Sequence, residues 1–280
     1  MMPYLLTKNQ YIIVDGQNIA YREMGKGKSE LPLVMLTHLA ATLDQWDPKL
    51  IDLLSETQHV ILLELPGVGA SQGKVASTVP EMARETISIL NAMGYQKINL
   101  LGLSMGGMIA QEIVRLNNDL VNCLILVGTA PRGGVGVDHV TRTTFCHVFR
   151  AILHRADLKR FIFYTPDRQG KIEAEKVFGR MNSRLKENTD KPMAVLSFLR
   201  QLRAIKRWSE KPADDLRFIT QPTLIVNGDQ DRMIPMENSY FMHQKITGSK
   251  LVIYSHAGHG SLFQYADAFA GEVGSFLKST

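Results

Sequence analysis

The segment Gly102-Leu103-Ser104-Met105-Gly106-Gly107 lies between an apolar run, Ile98 to Leu103, and an amphipathic one, Met108 to Leu116. A serine on a tight strand-to-helix turn needs neighbours without bulk two positions away on either side, and glycine supplies both space and conformational freedom. Gly102 and Gly106 stand at those positions. The turn also sets a helix N-terminus beneath the serine, so backbone N–H groups and the positive end of the helix dipole face any oxyanion formed there. This spacing marks Ser104 as the candidate nucleophile of a serine hydrolase, with the Met105 N–H as the first oxyanion donor.

Such a serine needs a general base, and neutral imidazole is the side chain whose unperturbed pKa suits that work near neutral pH. Eight histidines compete for the role. His139, His147 and His154 fall in the central region and read more simply as surface or packing residues. The two cysteines, Cys123 and Cys146, imply neither a disulfide framework nor a metal-ligand spacing, which fits a reducing, cytoplasmic compartment. The glycines do not spell a dinucleotide-binding pattern in the right strand-to-helix setting, so neither an organic cofactor nor a metal is expected.

The elements that must position these residues alternate along the chain. Tyr11 to Val14 and Ile19 to Tyr21 flank Asp15-Gly16-Gln17-Asn18 and read as an antiparallel hairpin. Short apolar runs follow at Leu33–Thr37, Val60–Leu63, Ile98–Leu103, Cys123–Val127, Thr223–Val226 and Leu251–Tyr254, the pattern of strands buried on both faces. Helical patterns separate most of them: one after Trp46, then Pro80–Met93, Met105–Leu116, Met236–Ile246 and Ser261–Leu277. This predicts an α/β fold with a mostly parallel, eight-stranded sheet flanked by helices.

The alternation stops at Pro131 and resumes near Phe218. We read residues 131–216 as an inserted helical cap on a core domain formed by residues 1–130 and 217–280, a size that 280 residues with 45% hydrophobic content support. Residues 131–216 hold 18 Lys and Arg against 10 Asp and Glu, a net +8, so the remainder carries −3 of the chain's +5. Arg200, Arg203 and Arg207, with Lys206 beside them, stack on one predicted helix face. That face reads as a solvated surface, with attraction of an anionic substrate as the alternative. No basic run interleaves with aromatics, which argues against nucleic acid. The N-terminus lacks a signal-peptide core and no apolar run spans a bilayer, so a soluble protein without membrane attachment is expected.

The order of hairpin, strands, Gly-x-Ser-x-Gly, inserted cap, then Asp and His near the C-terminus resembles the α/β-hydrolase superfamily, in particular its capped esterases and cofactor-free haloperoxidase-like members. The resemblance implies a base at His259, in Ala257-Gly258-His259-Gly260 after the last strand; His256 is its near rival. It implies the orienting acid at Asp231, in Asn227-Gly228-Asp229-Gln230-Asp231, whereas Asp229 occupies the turn and bonds local backbone. The second oxyanion donor is expected from Thr37-His38-Leu39-Ala40-Ala41, where Leu39 replaces the family's usual glycine: Ala40 N–H first, Leu39 N–H second. His38 is expected to buttress that loop. Glu64, where the family normally has aspartate, is expected to stabilise loops near the site. Met93, Met105, Met108 and Phe145 are candidate pocket residues, better read as core except for Met105.

The expected chemistry is hydrolysis of an ester or related acyl bond of a small molecule, with an anionic substrate as one alternative, through an acyl-enzyme on Ser104, His259 and Asp231. Carbon–carbon hydrolysis, acyl transfer and cofactor-free haloperoxidase chemistry use the same apparatus. A ligand receptor that keeps the fold without chemistry is the reading from another class, and a homo-oligomer is possible with any of them.

Overall fold

The computed structural model describes residues 3–280. Eight strands form one sheet: β1 (Gln10–Val14), β2 (Gln17–Met24), β3 (Leu33–Leu36), β4 (Val60–Leu63), β5 (Ile98–Leu103), β6 (Val121–Val127), β7 (Thr223–Gly228) and β8 (Lys250–Tyr254). Their spatial order is β1-β2-β4-β3-β5-β6-β7-β8. β2 pairs antiparallel with β1 and β4, and every other pairing is parallel. Strand period decides which face each side chain joins. Val34, Leu36, Leu100, Leu124 and Ile225 enter one buried cluster, while Leu33, Met35, Leu101, Ile125 and Val226 enter the other. Helices cover both faces, which is why the strands read as unbroken apolar runs.

One face carries α2 (Val79–Ala92), α3 (Met105–Leu116) and α8 (Glu237–Lys245); the other carries α1 (Pro48–Ser55), a short α9 (Ser261–Gln264) and α10 (Ala266–Lys278). Local chemistry starts these helices. Asp47 accepts the Lys49 N–H ahead of α1, and Thr78 accepts the Glu81 N–H ahead of α2, each with a proline in the first turn where no N–H is needed. The single helix predicted over Ser261–Leu277 is broken at Tyr265, whose hydroxyl donates to the Ser255 carbonyl at 2.7 Å while its ring stacks on Tyr254. Tertiary contact there overrides a continuous helical pattern.

Between β6 and β7 the described residues form no strand. Four α-helices stand there: α4 (Val140–His154), α5 (Leu158–Phe163), α6 (Arg168–Met181) and α7 (Val195–Ser209). Three arginines of this segment tie it to residues outside it. Arg180 binds Asp47, Arg184 binds Asp44 and the Tyr4 and Thr7 carbonyls, and Arg207 donates to Ser77. No helix among the described residues is long and apolar enough to cross a membrane.

Candidate active site

Ser104 sits directly after β5, near the middle of the sheet, with φ 56° and ψ −115°. An L-residue held in that region costs about 1–3 kcal/mol, which the surroundings must supply. Its N–H donates to the Val127 carbonyl at 2.8 Å, and its own carbonyl accepts from the Thr129 hydroxyl at 2.7 Å and from the Gly107 N–H at 2.9 Å. The flanking glycines serve through space alone. Neither takes a positive φ, but a Cβ on Gly102 would lie 2.4 Å from the Gly106 carbonyl oxygen, and one on Gly106 would lie 2.3 Å from that of Leu36. The conformational freedom expected of them is exercised by the serine itself.

The acid and base arrive from the carboxyl ends of β7 and β8, the edge of a parallel sheet where sites form. Asp231 Oδ1 accepts the N–H groups of Met233 and Ile234, both at 2.9 Å. Its Oδ2 lies 2.7 Å from His259 Nδ1, and both side chains are buried. Nδ1 therefore donates to the carboxylate, and Nε2 is the nitrogen left to take a proton. His259 and Ser104 line one cavity of about 190 Å³, without a hydrogen bond between them. In unliganded sites that contact is often long and tightens with substrate.

The rival residues lie elsewhere. His256 is exposed and borders Gln230, while Asp229 accepts the Ala257 N–H as the turn reading expects. The glycines around His259 serve close approach. A Cβ on Gly258 would lie 2.7 Å from the Phe163 carbonyl oxygen, and the Gly260 N–H donates to that same oxygen at 3.0 Å. Phe163, from α5, packs its ring against both His38 and His259, a contact that no local sequence pattern signals.

The oxyanion side departs from the first expectation. Ala40 does not keep a free N–H: it donates to Gln201 Oε1 on α7 at 2.8 Å. The N–H groups of Met105, at the start of α3, and of Leu39 donate to no acceptor among the described residues. The first candidate is thus engaged by Gln201, and the second, Leu39, keeps an N–H without a partner among the described residues. His38 buttresses the loop, its Nδ1 donating to the Leu39 carbonyl at 2.8 Å, and burial pushes its pKa down to about 3, so the ring is neutral.

Glu64 also behaves as the sequence suggests, accepting from the Ala70 N–H at 2.9 Å and the Ser71 N–H at 3.2 Å. Burial and the adjoining Asp190 carboxyl push its pKa up to about 9. Of the pocket methionines, Met108 lines the Ser104 cavity, Met105 lines a recess behind it and Phe145 is half exposed. Trp46 is fully buried in the core against Phe263. Arg200, Arg203, Lys206 and Arg207 do not line the cavity. Its cation is Lys159, whose Nζ lies 2.5 Å from Gln45 Oε1 and 3.6 Å from Asp157 Oδ2. Among the described residues no group of three or more His, Cys, Asp or Glu side chains is placed to hold a metal ion.

A family model described as the alpha/beta hydrolase fold matches residues 32–265. The chain belongs to the α/β-hydrolase family. This hydrolase is 30% identical over 81% of its length to a 2-hydroxy-6-oxononadienedioate/2-hydroxy-6-oxononatrienedioate hydrolase of Klebsiella pneumoniae, of which 79% is covered. It is 25% identical over 95% of its length to a non-heme haloperoxidase of Rhodococcus erythropolis, of which 97% is covered. Among solved structures, an alpha/beta hydrolase fold protein from Chitinophaga pinensis superimposes with a TM-score of 0.93 at 29% identity, with both chains fully covered.

Proposed function

We propose that this hydrolase cleaves an ester or related acyl bond of a small molecule through an acyl-enzyme. The observation that carries the reading is the 2.7 Å contact between Asp231 and His259 Nδ1, which leaves the other ring nitrogen free in a residue that lines the same cavity as Ser104. His259 Nε2 takes the Ser104 proton as the hydroxyl oxygen attacks the acyl carbon. The carbonyl oxygen becomes an oxyanion facing the Met105 and Leu39 N–H groups. The leaving group departs with the proton returned by His259, and water then attacks the acyl-serine by the same route in reverse. Asp231 holds the ring in one tautomer and stabilises the imidazolium between the two steps.

Helices α4–α7 act as the cap over this site. The cavity wall is largely apolar, with Leu158, Ile162, Phe163 and Ile234 among its residues, which suits an apolar acyl group. Lys159 supplies a cation to that wall and supports a substrate with an anionic end. Carbon–carbon hydrolysis is the second reading, supported by the hydrolase name of the Klebsiella relative; it would use the same serine, base and donors. A fluorophosphonate probe tests the mechanism. Stoichiometric labelling at Ser104, lost in Ser104→Ala together with p-nitrophenyl ester turnover, is the expected result. Undiminished turnover in Ser104→Ala sinks the proposal. A vinylogous 1,5-diketone acid in place of the ester separates carbon–carbon cleavage from ester cleavage.

A further inference from the structure

Residues His38 to Ala41 form a β-turn, closed by the Ala41 N–H on the His38 carbonyl at 3.3 Å. The third residue of the turn, Ala40, has φ 63°, the pattern of a type II turn, where glycine is the residue that fits without strain. A type II turn differs from the commoner type I turn chiefly by a flip of its central peptide, here the plane joining Leu39 to Ala40. With a methyl group on Ala40 the intrinsic preference runs toward the flipped form.

Both edges of that peptide are held against the flip. On one side His38 Nδ1 donates to the Leu39 carbonyl at 2.8 Å; on the other Gln201 Oε1 accepts the Ala40 N–H at 2.8 Å. Gln201 is 1% exposed and lies 161 positions away along the chain, on α7. α7 is itself tied to the sheet domain by Ser197, whose hydroxyl donates to the Gly67 carbonyl at 2.7 Å, and by Arg207 on Ser77. The glutamine does not line the Ser104 cavity. It lines the recess behind the loop with Thr37, Ala41 and Met105, so it supports the loop from outside the space a substrate would enter.

We infer that Gln201 is a positioning residue for the oxyanion hole, by which the helical segment between β6 and β7 fixes the turn that presents the Leu39 N–H. The geometry of the turn gives the link. The His38 carbonyl is committed to Ala41, so in a trans peptide the Leu39 N–H points the opposite way. A flip of the next peptide would break the His38 and Gln201 hydrogen bonds together, leaving the single 3.3 Å contact to Ala41 to hold the turn, and with it the Leu39 N–H, in place. The inference rests on the acyl-enzyme reading for its consequence, though the contact stands independently of it.

The test is the rate of fluorophosphonate labelling at Ser104, in which the phosphoryl oxygen occupies the oxyanion position, together with kcat and KM for a p-nitrophenyl ester and its thionoester. Gln201→Leu removes the acceptor at similar volume. Its labelling rate and kcat fall roughly 10- to 100-fold, with KM within about twofold, and the preference for the carbonyl over the thionocarbonyl substrate shrinks. The double variant Gln201→Leu with Ala40→Gly recovers most of the loss, because glycine holds the positive φ without the glutamine. Amide exchange at Ala40, measured by NMR, speeds up in Gln201→Leu. Unchanged or faster labelling in a Gln201→Leu protein with wild-type Tm overturns the inference, as does a loss that Ala40→Gly fails to restore. No labelling of the wild-type protein overturns the acyl-enzyme reading instead, and Ala40 exchange then decides the clamp alone: exchange unaltered by Gln201→Leu refutes it.

Discussion

The Arg180 guanidinium binds both carboxylate oxygens of Asp47, Nε to Oδ1 at 2.8 Å and Nη2 to Oδ2 at 2.6 Å, so α6 is fastened to the first turn of α1. Asp47 is wholly buried, and a charge stripped of its partner there has little water to replace it. Arg180 is one-third exposed, which moderates the loss. Arg180→Ala is expected to cost about 2–3 kcal/mol in urea unfolding. A midpoint equal to the wild type contradicts this account of the seam.

Asp231→Asn leaves an acceptor for the Met233 and Ile234 N–H groups but turns an amide toward His259 Nδ1. The ring then favours the tautomer protonated on Nε2, which has no lone pair for the serine proton. Ester turnover is expected to fall roughly 10²- to 10⁴-fold with the Tm little changed. Retained turnover, measured with p-nitrophenyl esters at neutral pH, removes Asp231 from the mechanism.

Glu64 gives a pH prediction with a definite sign. Its folded pKa, pushed up to about 9, lies above the ordinary value of 4.5, so the folded state favours the protonated form. Its contribution to stability is complete below about pH 4.5 and is lost as pH rises toward 9. Glu64→Gln keeps a neutral hydrogen-bonding group beside Asp190 and removes that titration. Thermal scans from pH 5 to 9 are expected to show a flatter Tm profile in the variant, with the gain over wild type largest at the alkaline end. Parallel profiles refute it.

Lys159→Met tests the anionic end of the proposed substrate. For acyl esters that carry a terminal carboxylate, KM is expected to rise about tenfold, while neutral esters of equal length change little. An equal effect on both assigns Lys159 to the packing of its bonds with Gln45 and Asp157 rather than to recognition.

Gly106→Ala tests the packing of the elbow. A methyl placed 2.3 Å from the Leu36 carbonyl oxygen meets β3 backbone, which cannot swing aside as a side chain can. The expected cost is about 3 kcal/mol or more in thermal unfolding, with activity lost in whatever folds. A well-folded, active variant shows that the β3–α3 approach has slack.

The sheet was legible because its parallel strands are covered on both faces. Val60–Leu63 and Ile98–Leu103 are bounded in the structure as the apolar runs suggest, and helix Met105–Leu116 likewise. The Ser104 motif was legible for a local reason, since its glycines answer to atoms only a few residues or one strand away. Gln201 was not, because its partner is set by how α7 docks, and a glutamine among arginines on a predicted helix carries no local sign of it. The engagement of the Ala40 N–H by Gln201 was not legible for a related cause: a turn's peptide orientation is decided by what accepts each N–H in three dimensions.

Ser104, Asp231 and His259 are contributed by β5, β7 and β8, and the last of them follows the serine by more than half the chain. On the proposed mechanism, a growing polypeptide would stay chemically silent until the segment carrying His259 has been made. Labelling of nascent chains stalled at different lengths would then mark the moment when the closing segment docks, making reactivity a timer for the completion of the native state.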